Sequence, residues 1–339
     1  MIIGSRKCIM RIVYREAWLA AKLRRALITG AAGFIGSHLT EKLLAERPGY
    51  DWHVTGVDNF DPWYDPAVKR ANISGWPADR FQLIEADITD PTALRTHLTG
   101  EYDVVVHLAA KAGVRPSIQD PAAYEEVNAQ GTRNVLDLAR ERGIGQVVFA
   151  SSSSVYGIHP DAPWREDETA LRPISPYACT KASGELMGHV YSHLYGIRFM
   201  AMRFFNVYGP RQRPDSAVHK FARLILEGEP VPIYGDGTSR RDYVYVGDIA
   251  AGVRAAMDYC ETPFEAINLG SGRETSVTEM ISGLEQVLQK KARIEWHQEQ
   301  PGDVPTTSGD MAKARRLLGH ESRTELLDGL RQFASWIRT

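Results

Sequence analysis

The chain has 339 residues, 43% hydrophobic and 24% charged, with a formal net charge of −2. These values are typical of a globular protein with one two-lobed domain or two modest domains. The near-neutral charge gives no reason to expect a nucleic-acid or membrane partner, and no apolar run approaches the roughly 20 residues of a membrane helix. Three scattered cysteines favour neither a disulfide framework nor a zinc site, so we expect a cytoplasmic protein without a bound metal.

Residues 1–23 precede the first predicted strand. Basic residues interrupt this segment, so it lacks the continuous apolar core of a secretory signal. We expect a loosely helical or unstructured extension there.

From Arg24 onward, short β-branched runs alternate with longer segments of helical periodicity. The strand-like runs are RRALITG, DWHVTGVD, FQLIEAD, YDVVVHLAA and QVVFASSSS. The helical segments are FIGSHLTEKLLAE, AAYEEVNAQGTRNVLDLARERG and SPYACTKASGELMGHVYSHLYG. This alternation predicts an α/β fold with a doubly wound parallel sheet over residues 24–205. The pattern loosens afterwards, and residues 206–339 are predicted to form a smaller substrate-binding lobe with elements that return to the sheet.

A glycine-rich turn follows the first predicted strand and opens a helix. Glycines at these positions let the backbone approach a pyrophosphate, and the helix N-terminus stabilises its charge. The context predicts a Rossmann-type dinucleotide site, although an ordinary strand–turn–helix is the alternative. The residues expected to contact the cofactor here are Gly30, Gly33, Phe34, Ile35 and Gly36.

Polar and small residues end the next predicted strands. Asp58, followed by Asn59, stands where a carboxylate binds a ribose 2′-hydroxyl, which favours NAD over NADP. Because the carboxyl ends of parallel strands line the ligand crevice, later residues are also expected at the cofactor. Asp87 and Ile88 are expected at the adenine, and Leu108, Ala109, Ala110 and Lys111 towards the nicotinamide, although either stretch could be plain core strand.

The motif YACTK places Tyr177 and Lys181 one helical turn apart, on the same face. A phenol is a poor base at neutral pH, but a nearby lysine cation and a positive nicotinamide ring stabilise the phenolate. The pair is therefore a candidate acid–base site.

The motifs TGAAGFIGSHL, DITD, HLAA, SSSSVYG, YACTK, RFFNVYGPRQRP, RRDYVYVGDI and QPGDVP together resemble those of extended short-chain dehydrogenases/reductases. They are most similar to the nucleotide-sugar 4-epimerases, over about residues 24–318. The resemblance implies an isomerase that keeps NAD bound and transiently oxidises C4 of a UDP-sugar. It also implies a homodimer formed through the helices at 121–142 and 175–195.

The resemblance further implies a role for each matching residue. Tyr177 would be the base, Lys181 its partner and a ribose ligand, and Ser152 the hydroxyl beside the sugar O4. The other implied residues are Asn128 at the cofactor, Ser153 and Ser154 in the sugar pocket, Asn206 and Arg241 at the nucleotide diphosphate, and Asp303 at the uridine ribose.

The run of serines bears on the reaction. Similar enzymes that dehydrate the sugar carry Asp-Glu where this chain has Ser153 and Ser154, and those that decarboxylate a glucuronate carry Glu at the position of Ser154. Because both carboxylates are missing, the reaction is expected to stop at the 4-keto sugar. That sugar would turn over about its UDP tail and be reduced on the opposite face.

The stretches RFFNVYGPRQRPDSA and QPGDVPTT are similar to those of UDP-glucuronate 4-epimerases, which makes Arg213 the expected reader of the sugar carboxylate. The alternative for Arg213 is a diphosphate ligand or a surface charge. Asn206 departs from the Thr usual in that group, so a UDP-glucose/UDP-galactose or N-acetylhexosamine substrate stays open. A 4-keto-sugar reductase consuming external NAD(P)H is a further alternative. Trp63 and Tyr64 are either lid or surface residues.

Overall fold

The computed structural model describes residues 23–46, 51–158, 162–168, 171–298 and 306–338. Its strands are β1 (Arg24–Thr29), β2 (Trp52–Asp58), β3 (Phe81–Glu85), β4 (Val104–His107), β5 (Gln146–Ser152), β6 (Arg198–Phe204), β7 (Asn206–Tyr208), β8 (Pro230–Tyr234), β9 (Arg240–Tyr245), β10 (Phe264–Leu269), β11 (Glu274–Ser276), β12 (Arg293–His297) and β13 (Thr306–Thr307). Apart from Leu23, the predicted N-terminal extension lies outside the described residues.

The helices cover this framework. They are α1 (Phe34–Ala45), α2 (Pro66–Asn72), α3 (Pro91–His97), α4 (Val114–Gln119), α5 (Pro121–Tyr124), α6 (Gly131–Glu141), α7 (Pro176–Tyr195), α8 (Ala217–Glu227), α9 (Val246–Ala256), α10 (Val277–Leu288), α11 (Ala312–Leu318) and α12 (Leu326–Ile337). Among the described helices, none combines the length and apolar character needed to cross a bilayer.

Seven strands form one parallel sheet in the order β10-β6-β5-β4-β1-β2-β3. β4 and β5 are buried along their whole length, which explains their nearly continuous apolar runs. The chain runs outward from β1 through β2 and β3 and then crosses back to β4. The carboxyl ends of β1 and β4 therefore form the topological switch point, where open α/β sheets bind ligands. The predicted doubly wound α/β fold is confirmed.

Helices bury the two faces of this sheet in separate cores. Leu39 of α1 and Val253 of α9 belong to one core, together with strand residues such as Ile28. Val135 of α6 belongs to the other core, with Phe149 of β5. Both faces of the parallel sheet are thus covered, as its composition requires.

The helix predicted over 122–143 is interrupted. α5 runs into a π-helical turn, Glu125–Gln130, before α6 begins. Within that turn Asn128 accepts a hydrogen bond from Lys111 N at 2.8 Å and donates one to Lys111 O at 2.9 Å. A π-turn adds one residue to the helical ladder. The apolar periodicity of the sequence does not predict the extra residue of the π-turn. The contact that accompanies the turn is with Lys111, in a loop distant in sequence.

Beyond residue 205 the chain forms smaller sheets. β9 pairs with β7, β11 and β13, and β8 pairs with β12, over a third core that includes Ile233 and Phe333. β10 lies in the large sheet beside β6. The domain boundary at residue 205 stays a prediction.

Candidate active site

A cavity of about 350 Å³ opens at the carboxyl ends of the central strands. It brings together most of the site residues predicted from the sequence: Gly30, Gly33, Phe34, Ile35, Gly36, Asp58, Asn59, Asp87, Ile88, Leu108, Ala109, Ala110, Lys111, Ser152, Tyr177, Lys181 and Arg213. The predicted residues outside its lining are Asn128, Ser153, Ser154, Asn206 and Arg241. Asp303 lies outside the described residues.

The glycine turn forms one wall of the cavity. Gly30 has φ +72°, and a Cβ there would lie 2.8 Å from the backbone nitrogen of Ala109. A Cβ on Gly36 would lie 2.1 Å from Gly30 O. Both glycines are therefore required by close backbone packing, which brings the start of α1 against the ends of β1 and β4.

Asp58 ends β2 at the far side of this turn and is only 6% exposed. Its carboxylate accepts hydrogen bonds from Ala32 N at 3.1 Å and from Phe60 N at 2.9 Å, and the Lys69 ammonium lies 3.9 Å away. Burial raises the pKa of Asp58, while Lys69 and the two amide donors oppose that rise. The side chain is held rigidly at the cavity wall.

These residues fit a dinucleotide. The tight glycine backbone leaves room for a pyrophosphate at the N-terminus of α1, and a fixed carboxylate stands at the end of the following strand. Asn59 extends the same wall and donates a 2.7 Å hydrogen bond to Asp87, which also accepts one from Thr89 N.

The end of β5 and the start of α7 meet at the opposite side of the cavity. Ser152 and Tyr177 both line the cavity there, and a hydrogen bond from the Ser152 side chain lowers the pKa of the Tyr177 phenol. The ammonium of Lys181 lies 5.9 Å from the centre of the Tyr177 ring and donates a 2.7 Å hydrogen bond to Ala150 O. The structure thus places the three predicted catalytic residues side by side.

The electrostatics of Tyr177 and Lys181 differ from the expectation that the lysine cation stabilises the phenolate. Burial raises the pKa of Tyr177, and the hydrogen bond from Ser152 and the charge of Arg213 act against that rise. Burial also lowers the pKa of Lys181 to about 7, so the lysine is a weaker source of positive charge than an exposed one. Lys181 alone therefore does not bring the phenol into the neutral range.

The serine run divides at Ser152. A 3₁₀ turn, Ser153–Tyr156, begins directly after it, and the Ser152 hydroxyl accepts a hydrogen bond from Ser154 N at 3.1 Å. Ser152 Oγ also donates to Ser154 Oγ at 3.1 Å. The turn carries Ser153 and Ser154 off the cavity lining, so their contact with the sugar stays a prediction.

The mouth of the cavity carries an ion pair and an aromatic ring. Arg213 Nη2 donates to Asp215 at 2.9 Å and to Ala112 O at 3.3 Å, and Trp63 Nε1 donates to the same Asp215 carboxylate at 3.3 Å. Trp63 is half exposed yet lines the cavity, which places it at the rim. Tyr64 also lines the cavity, and burial raises its pKa to about 12.

Three other functional candidates were not predicted from the sequence. Tyr124 packs edge-on against Tyr177, with ring centres 6.2 Å apart, and donates to Ala112 O at 3.1 Å. Lys69 reaches the cavity beside Asp58, and Asp215 orients Arg213. Asp215 lies within the stretch RFFNVYGPRQRPDSA, but no role was predicted for any of the three residues, because their roles arise from contacts between distant segments.

The remaining predicted residues lie in the second lobe or behind the cavity. Asn206 donates to Asp242 O and Thr307 Oγ1, both at 3.3 Å, and Arg241 donates to Arg240 O at 2.9 Å. Asn128 is buried and bound to the Lys111 backbone. Their contacts with substrate or cofactor stay predictions.

Comparison with known proteins agrees with this geometry. Residues 26–270 match the NAD dependent epimerase/dehydratase family. A UDP-glucuronate 4-epimerase of Thermodesulfobacterium geofontis is 40% identical over 314 residues, which cover 91% of this chain and 95% of that protein.

Two solved structures are similar over nearly their whole length. A point mutant of the UDP-glucuronic acid 4-epimerase of Bacillus cereus, in complex with UDP-4-deoxy-4-fluoro-glucuronic acid and NAD, has a TM-score of 0.86 and 37% identity, covering 93% of this chain and 99% of that one. A UDP-N-acetylglucosamine 4-epimerase of Methanobrevibacter ruminantium, in complex with UDP-N-acetylmuramic acid, has a TM-score of 0.85 and 30% identity, covering 94% and 99%. The chain therefore belongs to the NAD-dependent epimerase/dehydratase family and is an NAD-using nucleotide-sugar 4-epimerase of the extended short-chain dehydrogenase/reductase type, as its motifs predict.

Proposed function

We propose that this protein interconverts UDP-glucuronate and UDP-galacturonate by inverting C4. The observation that carries the proposal is that Arg213, a guanidinium suited to a carboxylate, lines the same cavity as the Ser152–Tyr177 pair. The similarity to two UDP-glucuronate 4-epimerases supports the same substrate.

In this proposal the first half of the cavity holds the cofactor. The backbone around Gly30 and Gly33 binds the pyrophosphate, Asp58 binds a ribose hydroxyl, and Asp87 and Ile88 flank the adenine. Bound NAD supplies an acceptor for the C4 hydride and later a donor that returns it. Asn128 affects the cofactor site indirectly, because its amide fixes the backbone of Lys111.

Acid–base chemistry falls to Tyr177. Its hydroxyl takes the O4 proton as C4 is oxidised and gives it back after the 4-keto sugar has turned over. A hydrogen bond from Ser152 to the phenolate favours the charged form of Tyr177, as Arg213 does through its charge. Lys181 holds the end of β5 through Ala150 O, and we propose that it also binds a ribose of the cofactor.

The acids of the cavity support an epimerase rather than a dehydratase. The lining carboxylates are Asp58, Asp61 and Asp87, and each is engaged by the protein: Asp58 by backbone amides, Asp61 by Lys111 at 3.4 Å, and Asp87 by Thr89. Elimination at C5 and C6 needs a free acid and base beside the sugar. Within the described lining, the Ser152 end offers hydroxyls instead.

A second candidate is a neutral UDP-sugar, either UDP-glucose or a UDP-N-acetylhexosamine. Asn206 favours it, and so does the similarity to a UDP-N-acetylglucosamine 4-epimerase. In both cases we propose that Ser153, Ser154, Asn206, Arg241 and Asp303 complete the UDP-sugar site.

We also propose that the protein works as a homodimer. Leu186, Val190 and Leu194 are spaced by four residues on α7 and are all exposed, which leaves an apolar stripe on a helix that a second copy would cover.

The experiment that tests the proposed substrate is an equilibrium assay. Purified protein without added NAD is incubated separately with UDP-glucuronate, UDP-glucose and UDP-N-acetylglucosamine, and the products are separated by chromatography. A new peak from UDP-glucuronate alone supports the proposal, whereas turnover of a neutral sugar alone favours the second candidate. Tyr177→Phe is expected to abolish any such peak, which excludes a contaminating activity.

A further inference from the structure

A buried polar cluster lies directly beneath the Ser152 end of the cavity. Ser151 of β5 and Arg203 of β6 are register partners on adjacent strands, so their side chains lie on the same face of the sheet. Glu185 of α7 packs over that face. Its carboxylate accepts a 2.5 Å hydrogen bond from Ser151 Oγ and hydrogen bonds of 2.9 and 2.7 Å from Arg203 Nε and Nη2.

The burial of this cluster makes it rigid. The side chains of Arg203 and Glu185 are only 4% and 6% exposed. A two-point guanidinium–carboxylate pair has one favoured geometry, and a buried carboxylate holds each hydrogen-bond donor strongly because water cannot replace it. Arg203 is further enclosed by the ring of Tyr156, whose centre lies 4.8 Å from the guanidinium carbon. The cluster therefore locks α7 against β5.

The locked point is next to the reacting groups on both elements. Ser151 immediately precedes Ser152 on β5. Glu185 lies one turn after Lys181 and two turns after Tyr177 on α7, so all three share one helix face. The Ser151–Glu185 bond thus joins the two elements whose ends bring Ser152 and Tyr177 together in the cavity lining.

We propose that Ser151 and Glu185 are positioning residues that hold the Ser152 hydroxyl against Tyr177, with Arg203 fixing the Glu185 carboxylate. Their importance for turnover rests on the proposed function, in which Tyr177 performs the proton transfer. The positioning of Ser152 against Tyr177 does not rest on it, because both groups belong to the protein and line one cavity.

The readout is the ionisation of Tyr177. The groups that face it are Lys181 on its own helix, Ser152 from β5, the charge of Arg213, and the ring of Tyr124 from α5. Ser151→Ala changes none of these side chains. A loss of the Ser152 hydrogen bond to the phenolate is therefore expected to raise the midpoint of the Tyr177 titration.

The test follows this titration by ¹⁹F NMR in protein carrying fluorinated tyrosine, whose more acidic phenol titrates while the protein stays folded. Tyr177→Phe assigns the signal. Ser192→Ala is the matched control, because Ser192 is another buried serine hydroxyl held by α7 and donates to Pro263 O at 2.8 Å, away from the cavity. Loss of one hydrogen bond to a charged group predicts a rise of about one pH unit in Ser151→Ala, with little change in Ser192→Ala.

The outcomes separate the inference from the proposed function. A Ser151→Ala midpoint that rises no more than that of Ser192→Ala overturns the inference, even if the wild type epimerises UDP-sugars. A selective rise upholds it, even if the wild type turns over none of them, which would overturn only the proposed function. In an active enzyme we further expect kcat to fall about tenfold in Ser151→Ala, as a rise of that size in the pKa of the base allows, while KM and bound NAD stay close to wild type.

Discussion

Arg213 and Asp215 form an ion pair at the cavity mouth, with Nη2 of the guanidinium 2.9 Å from Oδ2 of the carboxylate. Because Trp63 donates to the same carboxylate at 3.3 Å, the pair is also tied to the segment after β2. Asp215 therefore orients the guanidinium while leaving a second edge of its planar fork for a ligand. This arrangement makes Arg213 the residue on which the choice of sugar is expected to depend.

Replacing Arg213 by lysine tests this role while keeping the positive charge near Tyr177. Lysine cannot make the two-point contact of a guanidinium with a carboxylate. We expect kcat/KM for UDP-glucuronate to fall about 10- to 100-fold, or about 1.4 to 2.7 kcal/mol, with a much smaller effect on any turnover of UDP-glucose. Arg223→Lys, at an exposed pair with Glu227 on α8, is the control. Equal losses for both sugars would contradict the carboxylate role.

Gly30→Ala tests the close packing of the cofactor turn. Two effects add at this residue: a left-handed φ of +72° and a Cβ placed 2.8 Å from Ala109 N. Gly143 has a similar φ of +66° with nothing within 4 Å of its Cβ, so Gly143→Ala carries the backbone strain alone. That strain costs about 1–2 kcal/mol.

Chemical denaturation and the NAD content of the purified variants are the measurements. We expect Gly143→Ala to be destabilised only by this backbone strain and to retain NAD. Gly30→Ala is expected to lose more stability and most of its NAD, because the displaced backbone lies at the proposed pyrophosphate site. A Gly30→Ala protein as stable and as NAD-rich as Gly143→Ala would show that the turn is not tightly packed.

Because Lys181 is buried, we expect the free energy of unfolding to depend on pH. Burial lowers its pKa to about 7, whereas the unfolded chain keeps the ordinary value of 10.5. Between these values the unfolded state binds more protons than the native state, so this group makes stability rise with pH from about 7 towards 10. Below pH 7 both states are protonated and its destabilising effect is complete.

Lys181→Met is expected to remove this contribution. The free energy of unfolding, measured by urea denaturation at pH 7 and pH 9, is expected to increase more in the wild type than in the variant. The other titrating groups are common to both proteins and cancel in the comparison. An equal pH dependence in the two proteins would mean that the buried lysine keeps its ordinary pKa.

Several features of the candidate site could be predicted from the sequence because they depend on residues close together in the chain. The glycine turn, Asp58 and the Tyr177–Lys181 pair are set by spacing within one strand–turn–helix or one helix, which periodicity reports directly. The parallel sheet follows from the alternation of such units. The site residues predicted this way therefore line a single cavity.

Features that depend on distant contacts were not predicted. The π-turn contains Asn128, whose amide binds the backbone of Lys111, and the Asp215 carboxylate gains its role from Trp63 and Arg213. The Glu185–Arg203 pair likewise joins a helix to a strand. A single sequence does not show which distant residue such a side chain contacts, or at what distance.

The apolar stripe of Leu186, Val190 and Leu194 on α7 is the proposed homodimer interface. Leu186 is 70% exposed, and a glutamate in its place would put a charge in the centre of the proposed interface. We expect light scattering to give a dimer for the wild type and a monomer for Leu186→Glu. Ile158→Glu, at a residue 63% exposed outside α7, is expected to stay dimeric. A monomeric wild type would contradict the proposed homodimer.

In the proposed mechanism the hydrogen at C4 leaves the sugar and returns to it within one closed site. The most direct measurement is NMR of the product formed from UDP-glucuronate that carries deuterium at C4, incubated with purified protein in ordinary water without added NAD. This mechanism predicts UDP-galacturonate that retains the deuterium at C4, and Tyr177→Phe should form none. A galacto product with solvent hydrogen at C4, or the absence of any galacto product, would contradict it.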